Sequence, residues 1–281
     1  MKIGVNMGVT ESLGDIGALA KKAEDLGFES LWFPEHVIVP VNYTTKYGGT
    51  ADGSVPERMR HMVDPLIALT LAVPTTTNLK LGTSICLVPE HNPLALAKQI
   101  ATLDLWSGGR FLFGIGAGWF KEETEIMGGN FEHRWTESRE IVEAMKELWT
   151  KDEASYHGQY VNFPPVYCYP KPAQKPHPPV ILGGTAKNVH RRVVQWGDGW
   201  MPNNPGPEVV KQGRATLDEL ADSAGRDPAS IEVTVFGTPP DADLIRRYED
   251  AGAERVVVRI EASEEAAISR ELEESAEKVL A

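Results

Sequence analysis

The sequence predicts an α/β protein folded as a (β/α)8 TIM barrel, and three observations carry that reading. Eight strand-like apolar segments alternate with helix-like ones along the 281 residues. The first of them ends in Asn6-Met7-Gly8, without the glycine-rich first turn usual in an open doubly wound sheet, which also needs fewer strands. No break in composition divides the chain, so residues 1–281 read as one domain with a sizeable core.

Taken in order, residues 3–6 read as a short buried strand and 13–26 as a helix with apolar positions at helical spacing, stopped by Gly27. Residues 30–33 form the second strand. A long irregular loop, 34–62, follows with Tyr43, Tyr47, Arg58, Arg60 and His61, and loops of this length in compact domains are usually functional lids or disordered. Asp64, with Pro65 at the first helical position, opens a helix towards Val73. Residues 81–87 are the third strand and 93–105 its helix. The fourth strand is read at 110–113, thinning to glycine at 114, 116 and 118, with Lys121, Glu122 and Glu123 as a first helical turn and a main helix at 137–149.

Residues 152–178 interrupt the alternation as an insertion between the strand-4 helix and strand 5. A hairpin is read at 156–160, and five prolines between 164 and 176 hold the chain extended. Alternation then resumes with strands at 180–182, 199–201, 231–236 and 255–260. Helices follow them at 188–196, 207–224, 241–251 and 263–280.

Composition narrows the function. Hydrophobic content of 42% and charged content of 24% are those of a soluble globular protein. A net charge of -12 argues against nucleic acid or an anionic membrane as the main partner, leaving a small-molecule substrate. The start of the chain, M-K-I-G-V-N, carries no signal-peptide pattern, and no apolar run of membrane-spanning length occurs, so a cytoplasmic protein is expected. Cys86 and Cys168 read as ordinary buried thiols. No zinc-like spacing joins the histidines, and no G-x-S-x-G or Walker A motif is present, so no metal is expected. The oligomeric state is left open, with a homodimer allowed.

In a barrel the active site lies just after the strands, and residues before the strands, such as Arg110 and Asp104, belong to the stabilising face. Strand 2 is followed by Glu35 and His36, strand 3 by Glu90, His91 and Asn92, and strand 6 by Pro202, Asn203 and Asn204. After strand 5, Gly183-Gly184-Thr185 leads into a helix, where N–H groups and the helix dipole suit a phosphate; strand capping is the plainer alternative. Gly114-x-Gly116-x-Gly118 is not the dinucleotide fingerprint and reads equally as a packing turn or as backbone that approaches a ligand. By residue type alone, His36 and His91 read more often as satisfied structural groups than as catalysts.

In this order and spacing, the pieces resemble the bacterial luciferase-like monooxygenase superfamily, and most closely its deazaflavin-dependent branch. The resemblance rests on W-F-P-E-H (32–36), L-G-T-S-I-C-L-V-P (81–89), H-N-P-L-A-L-A-K-Q (91–99), L-D-L-W-S-G-G-R-F-L-F-G-I-G-A-G-W (103–119), Y-H-G-Q-Y-V-N-F (156–163) and P-P-V-I-L-G-G-T (178–185). It implies a barrel that binds the deazaflavin coenzyme F420, or alternatively FMN, at its mouth. On this resemblance His36 is the catalytic proton donor or acceptor with Glu35 as its acidic neighbour. Ser84-Ile85 matches a non-prolyl cis peptide behind the ring. Gly183, Gly184 and Thr185 match the phosphate site, and Gly116, Ala117, Gly118 and Trp119 the strand-4 loop along the ribityl chain.

The resemblance therefore implies an oxidoreductase that moves hydride between F420 and a small organic molecule. The alternatives are an FMN-dependent, oxygen-using monooxygenase, a flavin-binding protein without turnover, and a sugar-phosphate isomerase or lyase sharing only the fold. Trp119 stands where related sugar-phosphate dehydrogenases place a catalytic glutamate, which counts against sugar-phosphate oxidation. The loop 37–62 matches nothing in the family, so the substrate stays open.

Overall fold

The computed structural model describes residues 1–8 and 10–280. In chain order its strands are β1 (Lys2–Met7), β2 (Ser30–Phe33), β3 (Lys80–Thr83), β4 (Cys86–Leu87), β5 (Phe111–Gly116), β6 (Glu153–His157), β7 (Asn162–Tyr167), β8 (Val180–Gly183), β9 (Gly199–Met201), β10 (Glu232–Thr238) and β11 (Arg255–Ile260). The helices are α1 (Ile16–Leu26), α2 (Pro65–Ala72), α3 (Pro93–Trp106), α4 (Lys121–Ile126), α5 (Arg134–Thr150), α6 (Val189–Trp196), α7 (Pro207–Ser223), α8 (Ala242–Asp250) and α9 (Glu265–Val279).

The parallel order β3-β2-β1-β11-β10-β9-β8-β5 closes on itself through β3 and β5, where Leu81 faces Phe111 and Gly82 faces Leu112. The (β/α)8 barrel read from the alternation is the observed fold. Helix starts follow the expected chemistry: Asp15, Asp64, Asn92 and Asp241 each accept a backbone N–H of the following first turn. Gly27 ends α1 in the left-handed conformation at φ 98°.

Two strands differ from the sequence reading, both for steric reasons. The third strand is not continuous over 81–87. It stops at Thr83, the Ser84-Ile85 peptide is cis, and Cys86–Leu87 resumes pairing as β4 beside Ile115 and Gly116. The fourth strand runs through its glycines instead of ending before them. Gly108 and Gly109, at φ 68° and 79°, form the preceding turn, so the strand starts one residue later than Arg110. Gly114 lies inside the strand because a Cβ there would overlap the Thr83 carbonyl, and its own carbonyl accepts the Thr83 hydroxyl at 2.7 Å.

The barrel interior is packed by Trp32, Leu112, Ile181, Met201 and Val257, with Ile85 and Phe236 above them. Gly82 leaves room for the Trp32 ring, which a Cβ would overlap, and the indole N–H donates to Ser30 at 2.8 Å. A larger apolar layer lies between strands and helices. At the N-terminal end, Arg255 binds Glu29 through two nitrogens, at 2.9 Å each, and reaches Glu232 at 3.0 Å. Arg110 belongs to the same stabilising end, donating to Ser107, Thr76, Leu79 and Val73, while Asp104 accepts from Gln174. Helix α5 starts three residues before the expected Glu137, and the antiparallel β6–β7 hairpin packs on it. Tyr156 donates to Glu143 at 2.6 Å and the Tyr160 amide to Glu140 at 2.7 Å. Among the described residues, no helix is long and apolar enough to cross a membrane.

Candidate active site

A cavity of about 420 Å³ opens at the C-terminal mouth of the barrel. Its lining includes Glu35, His36, Ser84, Ile85, Trp119, Gly183 and Gly184, all singled out in the sequence. The floor is the cis Ser84-Ile85 peptide. Asn6 on β1 secures it, donating at 2.9 Å to the Ser84 hydroxyl and at 3.1 Å to the Trp32 carbonyl.

Gly116, Ala117, Gly118 and Thr185 are not among the lining residues. Gly116 makes space for the Ile85 side chain, which a Cβ would strike, and so acts one layer behind the floor. Ala117 is buried. Gly118, at φ 81°, turns its carbonyl to Arg134, 3.1 Å from the guanidinium. Thr185 is solvent-exposed beside the mouth. Gly184 lines the cavity at φ 93° with open space where a side chain would begin. Its N–H is already donated to Met201 at 3.0 Å, so the amides left for an anion lie beyond it, towards the start of α6.

His36 hangs on a residue that the sequence reading passed over. Its Nδ1 lies 2.6 Å from Oε2 of Glu123 on α4, and Oε1 of the same carboxyl accepts the Ile38 amide at 3.3 Å. Glu123 is wholly buried, whereas Glu122 beside it is half-buried and turned towards the loop after β2. In a single sequence both are acidic residues of a first helical turn, and only the tertiary fold separates them. The imidazole also meets the edge of Trp119, ring centres 5.7 Å apart at 81°.

Glu35 has a different office. It accepts the Leu87 amide at 2.6 Å and meets Nε2 of His91 at 3.1 Å, tying β4 to the end of β2. Burial pulls the His91 imidazole down, but the Glu35 hydrogen bond and charge outweigh it, so its affinity for a proton is raised. Burial, with Glu35 beside it, pushes the Cys86 thiol well up. The donor atoms of Glu35, Cys86 and His91 lie within 4.8 Å of one another, a convergence that spacings in the sequence do not reveal. Glu35 is committed there to the Leu87 amide and to His91.

Behind Glu123 is a second buried acid, Glu90. Burial and the charge of Glu123 push its carboxyl up to about 8, against a smaller lowering by the Thr124 hydroxyl, which donates to it at 3.1 Å. Its folded value exceeds the ordinary one, so the folded chain holds a proton that the unfolded chain has lost. The site therefore costs stability progressively as pH rises from about 4.5 towards 8.

The loop after β2 forms one side wall of the cavity with Tyr47, Arg58, Met59 and Met62. Trp119 stacks on Phe120 at 4.9 Å, and Tyr47 and Tyr43 close on this pair at 5.2 Å each. Glu122 latches the loop, accepting the Thr44 amide at 2.6 Å, its hydroxyl at 2.9 Å and the Thr45 amide at 3.2 Å. Partial burial pushes this carboxyl up, but those donors prevail and hold it at about 2. The latch is therefore complete above pH 4.5 and weakens as pH falls towards 2. Glu122→Gln should speed hydrogen exchange at the Thr44 and Thr45 amides by about tenfold, the loss of one charge-assisted interaction. Unchanged protection would show that the aromatic stack alone holds the loop.

The family model for luciferase-like monooxygenases matches residues 1–267. The chain belongs to this family. Among its relatives, an uncharacterized protein of Mycobacterium tuberculosis is 36% identical over 243 residues, 85% of each chain. The FMNH(2)-dependent dimethylsulfone monooxygenase of Pseudomonas putida is 29% identical over 245 residues, 86% of this chain and 61% of that one. Among solved structures, the coenzyme F420-dependent tetrahydromethanopterin reductase of Methanopyrus kandleri superposes with a TM-score of 0.76. That likeness spans 99% of this chain and 98% of the reductase at 20% identity, and so speaks for the fold. The family match and the FMNH(2)-dependent relative set luciferase-like monooxygenase chemistry around this chain, and the F420-dependent reductase shares its fold.

Proposed function

We propose that the protein is an oxidoreductase that moves hydride between the deazaflavin coenzyme F420 and a small organic substrate. The observation that carries this reading is the buried His36–Glu123 pair set into the wall of the cavity whose floor is the Ser84-Ile85 peptide. Hydride transfer to or from a carbonyl-type carbon must be matched by a proton at the neighbouring heteroatom, and a positioned imidazole is suited to that work. The cavity fits a planar ring system: its floor is flat backbone and an Ile85 side chain, and Gly184 leaves an uncovered backbone at one end. The coenzyme, when bound, would supply the hydride chemistry.

The chain's own groups have the following parts. Ser84, Ile85 and Gly183 would support the ring, and the amides from Thr185 onward, at the start of α6, would face the phosphate. Trp119 and the wall formed by Tyr47, Met59 and Met62 would exclude water from the substrate side. His36 would hold or release the proton through Nε2, because Nδ1 is occupied by Glu123. Glu35 would keep β4 and the floor in place without touching the reacting atoms. The second reading is an FMN-dependent monooxygenase, favoured by the dimethylsulfone monooxygenase among the relatives.

Titration with F420 and with FMN, each followed by quenching of tryptophan fluorescence, separates the two. Trp119 lines the cavity and Trp32 lies in the barrel below it. Tighter binding of F420 is the expected result. Tighter binding of FMN would transfer the assignment to the monooxygenase, and binding of neither would remove both.

A further inference from the structure

Two buried acids lie behind His36; the chemistry proposed above uses Glu123 only as the partner of Nδ1 and does not use Glu90. Glu123 is wholly buried and engages Nδ1 of the imidazole at 2.6 Å. Glu90 is only 4% exposed; one of its oxygens accepts the Thr124 hydroxyl, and the other, Oε2, is buried with no donor. A buried carboxylate oxygen without a donor is costly, and a proton on it turns an unsatisfied acceptor into a donor. The groups that face this place are Glu123 and Thr124 from α4, Glu35 from the end of β2 and the buried Cys86 thiol of β4, with Arg134 of α5 committed to the Gly118 carbonyl. The next charged groups, His91 and Glu35, are paired with each other. No cation is therefore directed at Glu90 among the described residues, and two like charges cannot stand together there at low cost.

We propose that Glu123 is the positioning residue for His36 and that it shares one proton with Glu90, so that a single negative charge stands behind the imidazole. This inference rests on the role proposed above for His36. Glu123 then accepts from Nδ1–H, which fixes the tautomer with Nε2 as the free nitrogen at the cavity. Glu90, by keeping its proton, keeps the charge of the pair from doubling. The arrangement works as a one-charge brace. Glu90 is the member of the pair that holds the proton. Above the range in which Glu90 holds its proton, near 8, a second charge develops behind Glu123 and the hydrogen bond to His36 changes with it.

The test uses cofactor-free protein carrying 15N-labelled histidine, so it stands apart from any assay of turnover or coenzyme choice. The His36 signals are identified by their absence from His36→Gln. In the wild type, the expected spectrum has a solvent-protected, far-downfield proton on Nδ1 and an Nε2 without a proton at neutral pH, and the Nδ1 proton signal moves again near pH 8. In Glu123→Gln, where the amide can accept but carries no charge, the Nδ1 proton signal should move upfield. In Glu90→Gln the neutral-pH spectrum should be retained and the change near pH 8 lost. An Nδ1 signal identical in Glu123→Gln would overturn the positioning role. A change near pH 8 that persists in Glu90→Gln would overturn the shared proton, and this second arm stands even if Glu123→Gln fails to fold.

Discussion

His36→Ala should lower turnover by about 100-fold or more while coenzyme affinity stays within a few-fold of the wild type, since a positioned general acid or base contributes about 10² to 10⁴ in rate. The split follows from geometry. In the proposed reading the ring would be supported by Ser84, Ile85 and Gly183, none of which hydrogen-bonds to His36, so binding and proton transfer would use separate groups. Truncation has a side effect, because Glu123 loses its imidazole partner and keeps only the Ile38 amide. His36→Gln is therefore the companion variant: it refills the space and can still donate to Glu123, but it cannot carry a proton at neutral pH. Similar losses in both variants, with fluorescence titration showing intact coenzyme binding, would place the deficit in proton transfer. Full turnover in His36→Gln would remove His36 from the chemistry and leave it a spacer.

Gly114→Ala should destabilise the protein by about 3 kcal/mol, the upper part of the usual overpacking range, and lower its melting temperature by roughly 6–12 °C for a chain of this size. The added methyl would overlap the backbone carbonyl of Thr83, and backbone cannot swing aside as a flexible side chain can. The clash falls where β3 and β5 close the barrel, immediately before the Ser84-Ile85 floor. Coenzyme affinity should therefore fall together with stability. Gly108→Ala is the control, because Gly108 is in a special conformation, φ 68°, but meets nothing within 4 Å. Its cost should stay near 1 kcal/mol, that of backbone strain alone. Thermal denaturation of the two variants side by side checks the difference. Equal, small shifts would mean that β3 and β5 separate freely, against the tight contact seen here.

The barrel was legible because its signals are local. Strands in a parallel barrel are buried on both faces and read as apolar runs, and helix starts carry their own acceptors at Asp15, Asp64, Asn92 and Asp241. The fourth strand was misjudged because glycine reads as a turn by propensity, whereas Gly114 and Gly116 lie in β5 to admit the Thr83 carbonyl and the Ile85 side chain. The third strand was read straight through Ser84-Ile85 because residue patterning carries no mark of a cis peptide; only the family resemblance pointed to it. At the site, residues next to strand ends were within reach, as His36, Glu35 and Trp119 illustrate. The acids behind them were not. Glu123 meets His36 across 87 positions of sequence, and Glu90 meets Thr124 across 34. Nothing local distinguishes a wholly buried glutamate from the half-buried one beside it when the partner comes from a distant part of the chain.

Helix α4 is one and a half turns long, yet its adjacent acids serve two masters: Glu122 grips Thr44 and Thr45 in the wall, and Glu123 grips His36. On the proposed reading, the wall that would meet a substrate and the group that would exchange its proton therefore share one mount. An adaptation of residues 37–62 to a new substrate is transmitted through that mount to the imidazole unless the latch residues are kept. Substrate range in this scaffold should then diversify at loop positions that touch neither α4 nor Trp119 and Phe120. Changes at Thr44, Thr45, Tyr43 or Tyr47 should alter selectivity and rate together.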